Sequence, residues 1–340
     1  MGQEKLIRIS VRNLVEFVLR EGDIDNRIAG TPDKEAMQLG GKIHRKIQRQ
    51  MGSNYRAEVS MKFQIPYEKF VLQIEGRADG VQEDEEGTLI DEIKGVMREL
   101  RHMKEPVGVH LAQAKCYAYI YGQEKDLEKV FVQMTYCQME SEEILRFKYE
   151  YTMEELETWF WSVIRLYEKW ADFQIEWEEK RNASIKKTDF PYEYREGQKE
   201  LVTSVYRTML RKKKLFIQAP TGVGKTISTV FPAVKAVGEG LADKIFYLTA
   251  KTITRTVAQQ AFEHMKDKGL QMKSVVLTAK EKICFCEKTE CNPDYCPYAK
   301  GHFDRVNDAV FDVLTHCDEM SRDRIEAYAQ KHQVCPFEMS

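Results

Sequence analysis

From Ile7 to Arg20 the apolar positions fall at helical spacing, with Leu14, Phe17 and Val18 on one face, and predict a helix. Thr31-Pro32 ahead of Asp33-Lys34-Glu35 is a helix start, and that helix is expected to run to Met51. The period then changes to two. Val59, Met61, Phe63 and Ile65 alternate with polar residues, Phe70 to Ala78 forms a return strand, and Thr88 to Lys94 follows an acidic turn. A helix from Gly108 to Tyr121, a strand at Val130–Tyr136 and an alternating strand through Leu145, Phe147, Tyr149 and Tyr151 come next. Thr152-Met153-Glu154-Glu155 reads as a capping box that opens a long aromatic helix reaching Lys180. Polar Arg181–Thr188, before Phe190-Pro191, reads as a linker. Beyond it, apolar Leu215–Ile217, a helical run from Ile227 to Ala236, and Lys244–Leu248 form a βαβ pattern of the parallel-sheet type. There is no internal repeat.

Composition narrows the class without naming a partner. At 340 residues the chain can bury two cores, and a net charge of −2 gives no global basic field. The pattern shows neither a membrane-spanning run nor a signal peptide, so the sequence reads as cytoplasmic with no membrane partner. In that compartment eight cysteines point to metal ligation or reactive thiols instead of disulfides. Six of the eight lie beyond residue 283.

Two carboxylates stand out in the first half. Asp79 ends one expected strand, and Asp91-Glu92-Ile93-Lys94 lies on the next, where Glu92 and Lys94 share a face and Asp91 points away. A hairpin bringing Asp79 beside Glu92 would hold Mg²⁺, with a lysine to position or polarise an attacking water. His44 lies on the preceding helix, and Gln113 and Tyr117 lie on the following one. This ordered set resembles the RecB-type nucleases of the PD-(D/E)XK superfamily over residues 1–180. The resemblance implies His44, Asp79 and Glu92 as ligands of Mg²⁺ or Mn²⁺, with the Ile93 carbonyl adding an oxygen. It makes Lys94 catalytic, with Gln113 and Tyr117 arranging the site and its DNA. Only Cys116 and Cys137 are available for the iron–sulfur staple that some of those nucleases carry.

The second half holds Ala219-Pro220-Thr221-Gly222-Val223-Gly224-Lys225-Thr226, a phosphate-binding loop between an apolar run and a helix. Lys225 would reach the β- and γ-phosphates of ATP, and Thr226 would sit on Mg²⁺. Upstream, Arg195 and Gln198 occupy a position suited to reading an adenine edge, since glutamine both donates and accepts. Thr249 to Thr252 suits contacts to single-stranded DNA phosphates. Cys284, Cys291, Cys296 and Cys335 are spaced loosely, and spacing alone leaves zinc and an iron–sulfur cluster both open. The combination resembles the first motor domain of XPD/DinG-type superfamily 2 helicases over residues 190–340. That resemblance implies a 4Fe-4S cluster on those four cysteines, with Cys286 as an alternative to Cys284 and Cys317 as a plain buried thiol.

The expected class is therefore α/β: a PD-(D/E)XK nuclease core at 1–182, a linker at 183–189, and part of a RecA-like P-loop motor at 190–340. A cysteine-rich iron–sulfur insert would occupy 276–340. No DEAH box follows the loop, so the chain reads as an incomplete nuclease–helicase with negligible ATPase of its own. Its expected partner is single-stranded or forked DNA, met in repair or processing. The competing expectations are an ATPase-inactive DNA-binding or redox-sensing module and a stand-alone nuclease.

Overall fold

The computed structural model describes residues 5–27, 34–220, 222–249 and 252–340. The predicted helix start at Thr31–Asp33 lies outside the described residues, as do Thr221, Ala250 and Lys251. The class is mixed α/β, and the chain divides into two compact units. One comprises residues up to Asp172 with Leu277–Thr315 and Arg322–Ser340; the other comprises Phe173–Val276 with His316–Ser321.

The N-terminal segment starts as a strand, β1 (Lys5–Ser10), and only then becomes a helix, α1 (Val11–Val18). The single helix expected from Ile7 to Arg20 is thus replaced by two elements. Ser10 is the reason: extended, it caps α1 through its hydroxyl, which accepts from the Asn13 amide. The segment before it pairs in parallel with β3 (Phe70–Asp84), Ile7 opposite Leu72.

β3 organises the sheet. β2 (Tyr55–Pro66) runs antiparallel along one edge, while β1 and β4 (Gly87–Val96) share the other. Then come β5 (Lys129–Gln138), parallel to β4, and β6 (Ile144–Thr152), antiparallel to β5. The order is β1-β3-β4-β5-β6, with β2 off the path on β3. Gly80 of β3 lies under the Tyr55 ring, where any side chain would collide with the phenol. α2 (Lys34–Gln50) docks on the sheet through Ile43 and Ile47, which pack with Ile93 and Cys137. α3 (Gly108–Lys125) is buried almost continuously from Ala112 to Gly122, and α1 packs against it.

α4 (Met153–Lys187) opens on the expected capping box. The Thr152 amide donates to Glu155 at 2.8 Å, and the Glu155 amide donates back to the Thr152 hydroxyl at 3.2 Å. Its far end corrects the expected linker, because residues 181–187 are helical. Ile185 lies in an apolar core with Val230 and Val234, and the Ser184 hydroxyl accepts from the Gln271 amide at 2.9 Å. Two buried side chains in a polar run were enough to carry the helix on.

The other helices of the second unit are α5 (Gln198–Leu210), α6 (Lys225–Gly238) and α7 (Thr252–Asp267). The strands expected at Leu215–Ile217 and Lys244–Leu248 carry no ladder among the described residues. A strand needs a paired neighbour, and these runs have none here: Phe216 is 92% exposed and Leu248 is 88% exposed. A two-residue parallel pair joins β7 (Ser274–Val275) to β8 (Glu319–Met320), between which lie α8 (Lys280–Ile283) and α9 (His302–His316). α10 (Arg322–His332) and α11 (Pro336–Met339) follow. The cysteine-bearing residues 277–315 and 322–340 therefore fold with the sheet unit, whereas the sequence grouped them with the phosphate loop.

Candidate functional site

The central hairpin brings the candidate carboxylates together. Gly80 pairs with Asp91, which sets Asp79 beside Glu92. Asp79 is fixed on three sides: its Oδ2 accepts from the Ile93 amide at 2.8 Å, its Oδ1 lies 3.1 Å from His44 Nδ1, and its carbonyl accepts from Gln48 at 2.9 Å. Glu92 is 2% exposed. Its Oε1 meets Lys94 Nζ at 2.8 Å, and its Oε2 is buried with no hydrogen-bond partner among the described residues. Burial, then the neighbouring Asp79, pushes the Glu92 carboxyl up to about 8, against the opposing pull of Lys94.

α3 completes the cluster. Gln113 Oε1 accepts from Lys94 Nζ at 3.1 Å, and Tyr117 bonds to Gln113 and to the backbone of Arg77. A side chain at Gly76 would meet the Tyr117 hydroxyl at 2.6 Å, so the strand needs glycine where the phenol lies down. Burial, followed by Glu92, raises the Tyr117 phenol to about 12. His44, Asp79, Glu92, Lys94, Gln113 and Tyr117 are thus one connected group.

Asp91 lies on the opposite face, as strand parity requires. It accepts from Thr135 at 2.6 Å, from Tyr55 at 3.1 Å and from Gln133 at 3.2 Å. Burial raises its pKa against those three bonds. Three donors on one buried carboxylate tie β2, β4 and β5 together behind the cluster. Sequence reading passed over His110, which shares the Gln113–Tyr117 face of α3 at spacings of three and seven. Its Nδ1 hydrogen-bonds with the Tyr136 hydroxyl at 3.1 Å. Burial, then Lys94, lowers its pKa to about 4, so it stands neutral. That helical spacing was the available signal.

An orphaned, buried carboxylate oxygen beside a second carboxylate and an imidazole fits the donor set of a hard divalent cation. As the side chains stand, no group of three or more His, Cys, Asp or Glu among the described residues could hold a metal ion.

In the second unit Gly222 and Gly224 adopt positive φ, 85° and 73°, and Gly224 caps α6. Their side of a cavity of about 600 Å³ also carries Lys225 and Thr226. Lys225 Nζ folds onto the Ala219 and Pro220 carbonyls at 2.8 and 2.7 Å. Arg195 donates to the Gly222 carbonyl. Gln198 accepts from the Arg195 amide at 3.0 Å and donates to the Val223 carbonyl at 3.3 Å. Its amide thus braces the loop and retains one donor and one acceptor for a ligand. Tyr192 and His264, in edge contact, line the same cavity and carried no sequence motif.

The cysteines are free thiols. Cys286 Sγ lies 3.6 Å from Cys296 Sγ, and Cys284 bonds to the same Cys286 thiol. Cys291 hydrogen-bonds Lys280, whose charge also faces Cys335 and Glu338. Cys291, Cys296 and Cys335 are buried, Cys284 and Cys286 are half-buried, and Cys286 belongs to the group as fully as Cys284 does. Cys317 is half-buried and lies in the second unit, which corrects its reading as a plain buried thiol.

The family model of the DEAD/DEAH box helicases matches residues 195–290, the stretch that bears the phosphate loop. "Probable ATP-dependent helicase MJ0942" of Methanocaldococcus jannaschii is 30% identical over 125 residues, covering 36% of this chain and 18% of that protein. The chain therefore spans under a fifth of the curated relative it matches. Among solved structures, "Crystal structure of SSO0001" covers 49% of this chain and 76% of that one, at 19% identity and a TM-score of 0.32. Among the described residues no helix is long and apolar enough to cross a membrane.

Proposed function

We propose that this protein processes DNA, joining a metal-dependent phosphodiester-cleaving site in the sheet unit to an ATP-dependent helicase-type segment. The observation that carries the nuclease half is Glu92 Oε2, a buried acceptor with no partner beside Asp79 and His44. His44, Asp79 and Glu92 would hold Mg²⁺ or Mn²⁺, which when bound supplies Lewis-acid charge at a scissile phosphate. Lys94 carries a positive charge whose position is set by Glu92 and Gln113, so it can orient a water and steady negative charge on the phosphate. Tyr117 holds Gln113, and neutral His110 on the same helix face does not compete for the phosphate as a cation.

In the second unit Lys225 and Thr226 would take ATP phosphates and their Mg²⁺, with Arg195 and Gln198 keeping the loop in shape. On this reading Cys284 or Cys286 with Cys291, Cys296 and Cys335 would hold a 4Fe-4S cluster, and the setting would be DNA repair or processing. The substrate follows as single-stranded or forked DNA.

End-labelled single-stranded and forked DNA incubated with the protein and Mn²⁺ tests this reading. Cleavage should depend on the metal and be lost in Glu92→Gln and Lys94→Ala. Cleavage that persists in both variants, or binding without cleavage at any metal concentration, would overturn it.

A further inference from the structure

Past Lys94, Gly95 and Val96 finish β4, and Met97 and Arg98 bend away exposed before Leu100 is buried again. The bend is held from beneath. The Val96 carbonyl accepts from the Met139 amide at 2.9 Å, and the Met97 carbonyl accepts from the Gln138 side chain at 3.2 Å. Arg98 thus springs from an anchored backbone. Four residues of extended chain span at most roughly 13 Å, so its guanidinium stays near Lys94 without entering the carboxylate cluster.

Charge in this region is unevenly paired. Glu99, the acid next to Arg98, goes instead to Arg101 at 2.7 Å and to His102 at 3.6 Å. Arg98 has no acidic partner among the described residues. A second arginine comes from α1, whose inner positions Val11, Leu14 and Val15 are buried while Arg12 points out. Arg12 pairs with Glu16 one turn on, and both side chains are largely in solvent, so that pair competes weakly with a phosphate. Burial aside, the charges that bear on the His110 imidazole are those of Lys94, Arg98 and Arg12. Arg98 also bears on Tyr136, whose hydroxyl bonds to His110 and accepts from the Val107 amide at 3.0 Å. Three cations from β4, the bend and α1 therefore converge on the first turn of α3. The acid at that end is Glu21, 3.9 Å from where a Gly108 side chain would begin. Like charges so gathered repel one another in the free protein, and an anion seated among them relieves that repulsion.

Resting on the cleavage-site reading above, we propose that Arg98 and Arg12 are the backbone grip for the DNA strand that Lys94 faces. They take a phosphate neighbouring the scissile one, from the side of α1 and the start of α3, and leave Lys94 to the scissile phosphate itself. Phosphate contacts of this kind position the strand and carry no sequence information.

Fluorescence anisotropy of a labelled single-stranded oligonucleotide, titrated with the 340-residue protein in EDTA at several salt concentrations, tests this without metal or cleavage. Arg98→Gln should weaken binding about fivefold at about 0.1 M salt and flatten the dependence of log affinity on log salt by about 0.7, the release from one single-strand phosphate. Arg12→Gln should shift both in the same direction, and Arg98→Lys should restore the slope. Arg101→Gln, three residues along but held by Glu99, should bind as the wild type does. All three arginines are exposed, so the variants should unfold at the wild-type urea midpoint. Wild-type slopes in both Arg98→Gln and Arg12→Gln, an equal loss in Arg101→Gln, or no binding by the wild type overturns the grip. Slopes that fall as expected in protein that never cleaves DNA with Mn²⁺ would overturn the cleavage reading and leave the grip standing.

Discussion

Glu92→Gln should stabilise the metal-free protein, and by an amount that depends on pH in one direction only. Glu92 is raised from 4.5 to about 8 by burial and by Asp79. Between those values the native state keeps a proton that the unfolded chain has released. The unfolded state then binds fewer protons, so wild-type stability falls as pH rises and levels off above about 8. The slope is at most ~1.4 kcal/mol per pH unit, which puts the ceiling on the order of 5 kcal/mol over the window. Water entry and relaxation around the Lys94 contact bring the expected gain nearer ~2 kcal/mol. Glutamine keeps the shape and the bond from Lys94 but cannot ionise. The variant should match wild type at pH 5 and be more stable by that margin at pH 8.5, in chelator-treated protein. Urea unfolding followed by fluorescence, dominated by Trp159, Trp161 and Trp170 of the sheet unit, reads the difference. Adding Mn²⁺ should then raise the midpoint of wild type and leave Glu92→Gln unmoved. A stability difference that is flat from pH 5 to 8.5, or that grows toward acid, would refute the reasoning.

The other expectations are more local. Gly76→Ala places a methyl 2.6 Å from the Tyr117 hydroxyl; it should cost ~1–3 kcal/mol by urea titration and slow cleavage by displacing Tyr117. Thr152→Ala opens the capping box and should lower stability by ~1 kcal/mol, seen as a reduced midpoint with intact cleavage. Lys225→Ala should abolish binding of a fluorescent ATP analogue while leaving DNA cleavage by the sheet unit in place; retained nucleotide affinity would discount the phosphate loop.

Much of the sheet could be read from alternation. Val59 to Ile65 and Leu145 to Tyr151 show a period of two, and β2 and β6 cover those positions. The grouping around Glu92 was readable too, because strand parity separates Glu92 and Lys94 from Asp91, and one hairpin register then aligns Asp79. Other features depend on contacts that no local pattern records. β1 was hidden because Ile7 and Ile9 merge into the helical spacing of Leu14 and Phe17, and only the Ser10 cap divides them. The end of α4 was hidden because Ile185 and Ser184 are buried within a polar run. The cysteine lobe's attachment was hidden most deeply: backbone amides at Ile24 and Asn26 make it, with partners some 270 residues away in sequence. At Leu215–Ile217 composition announced a strand, but strand structure also needs a neighbour, and the described residues supply none.

The central claim is that His44, Asp79 and Glu92 form a divalent-cation site. Mn²⁺ titration of the chelator-treated protein, followed by electron paramagnetic resonance, tests it most directly. The account predicts saturable binding that releases a proton near neutral pH, since Glu92 must ionise to bind, and that is lost in both Asp79→Asn and Glu92→Gln. Binding of equal strength in wild type and both variants, or no saturable binding at all, would contradict it.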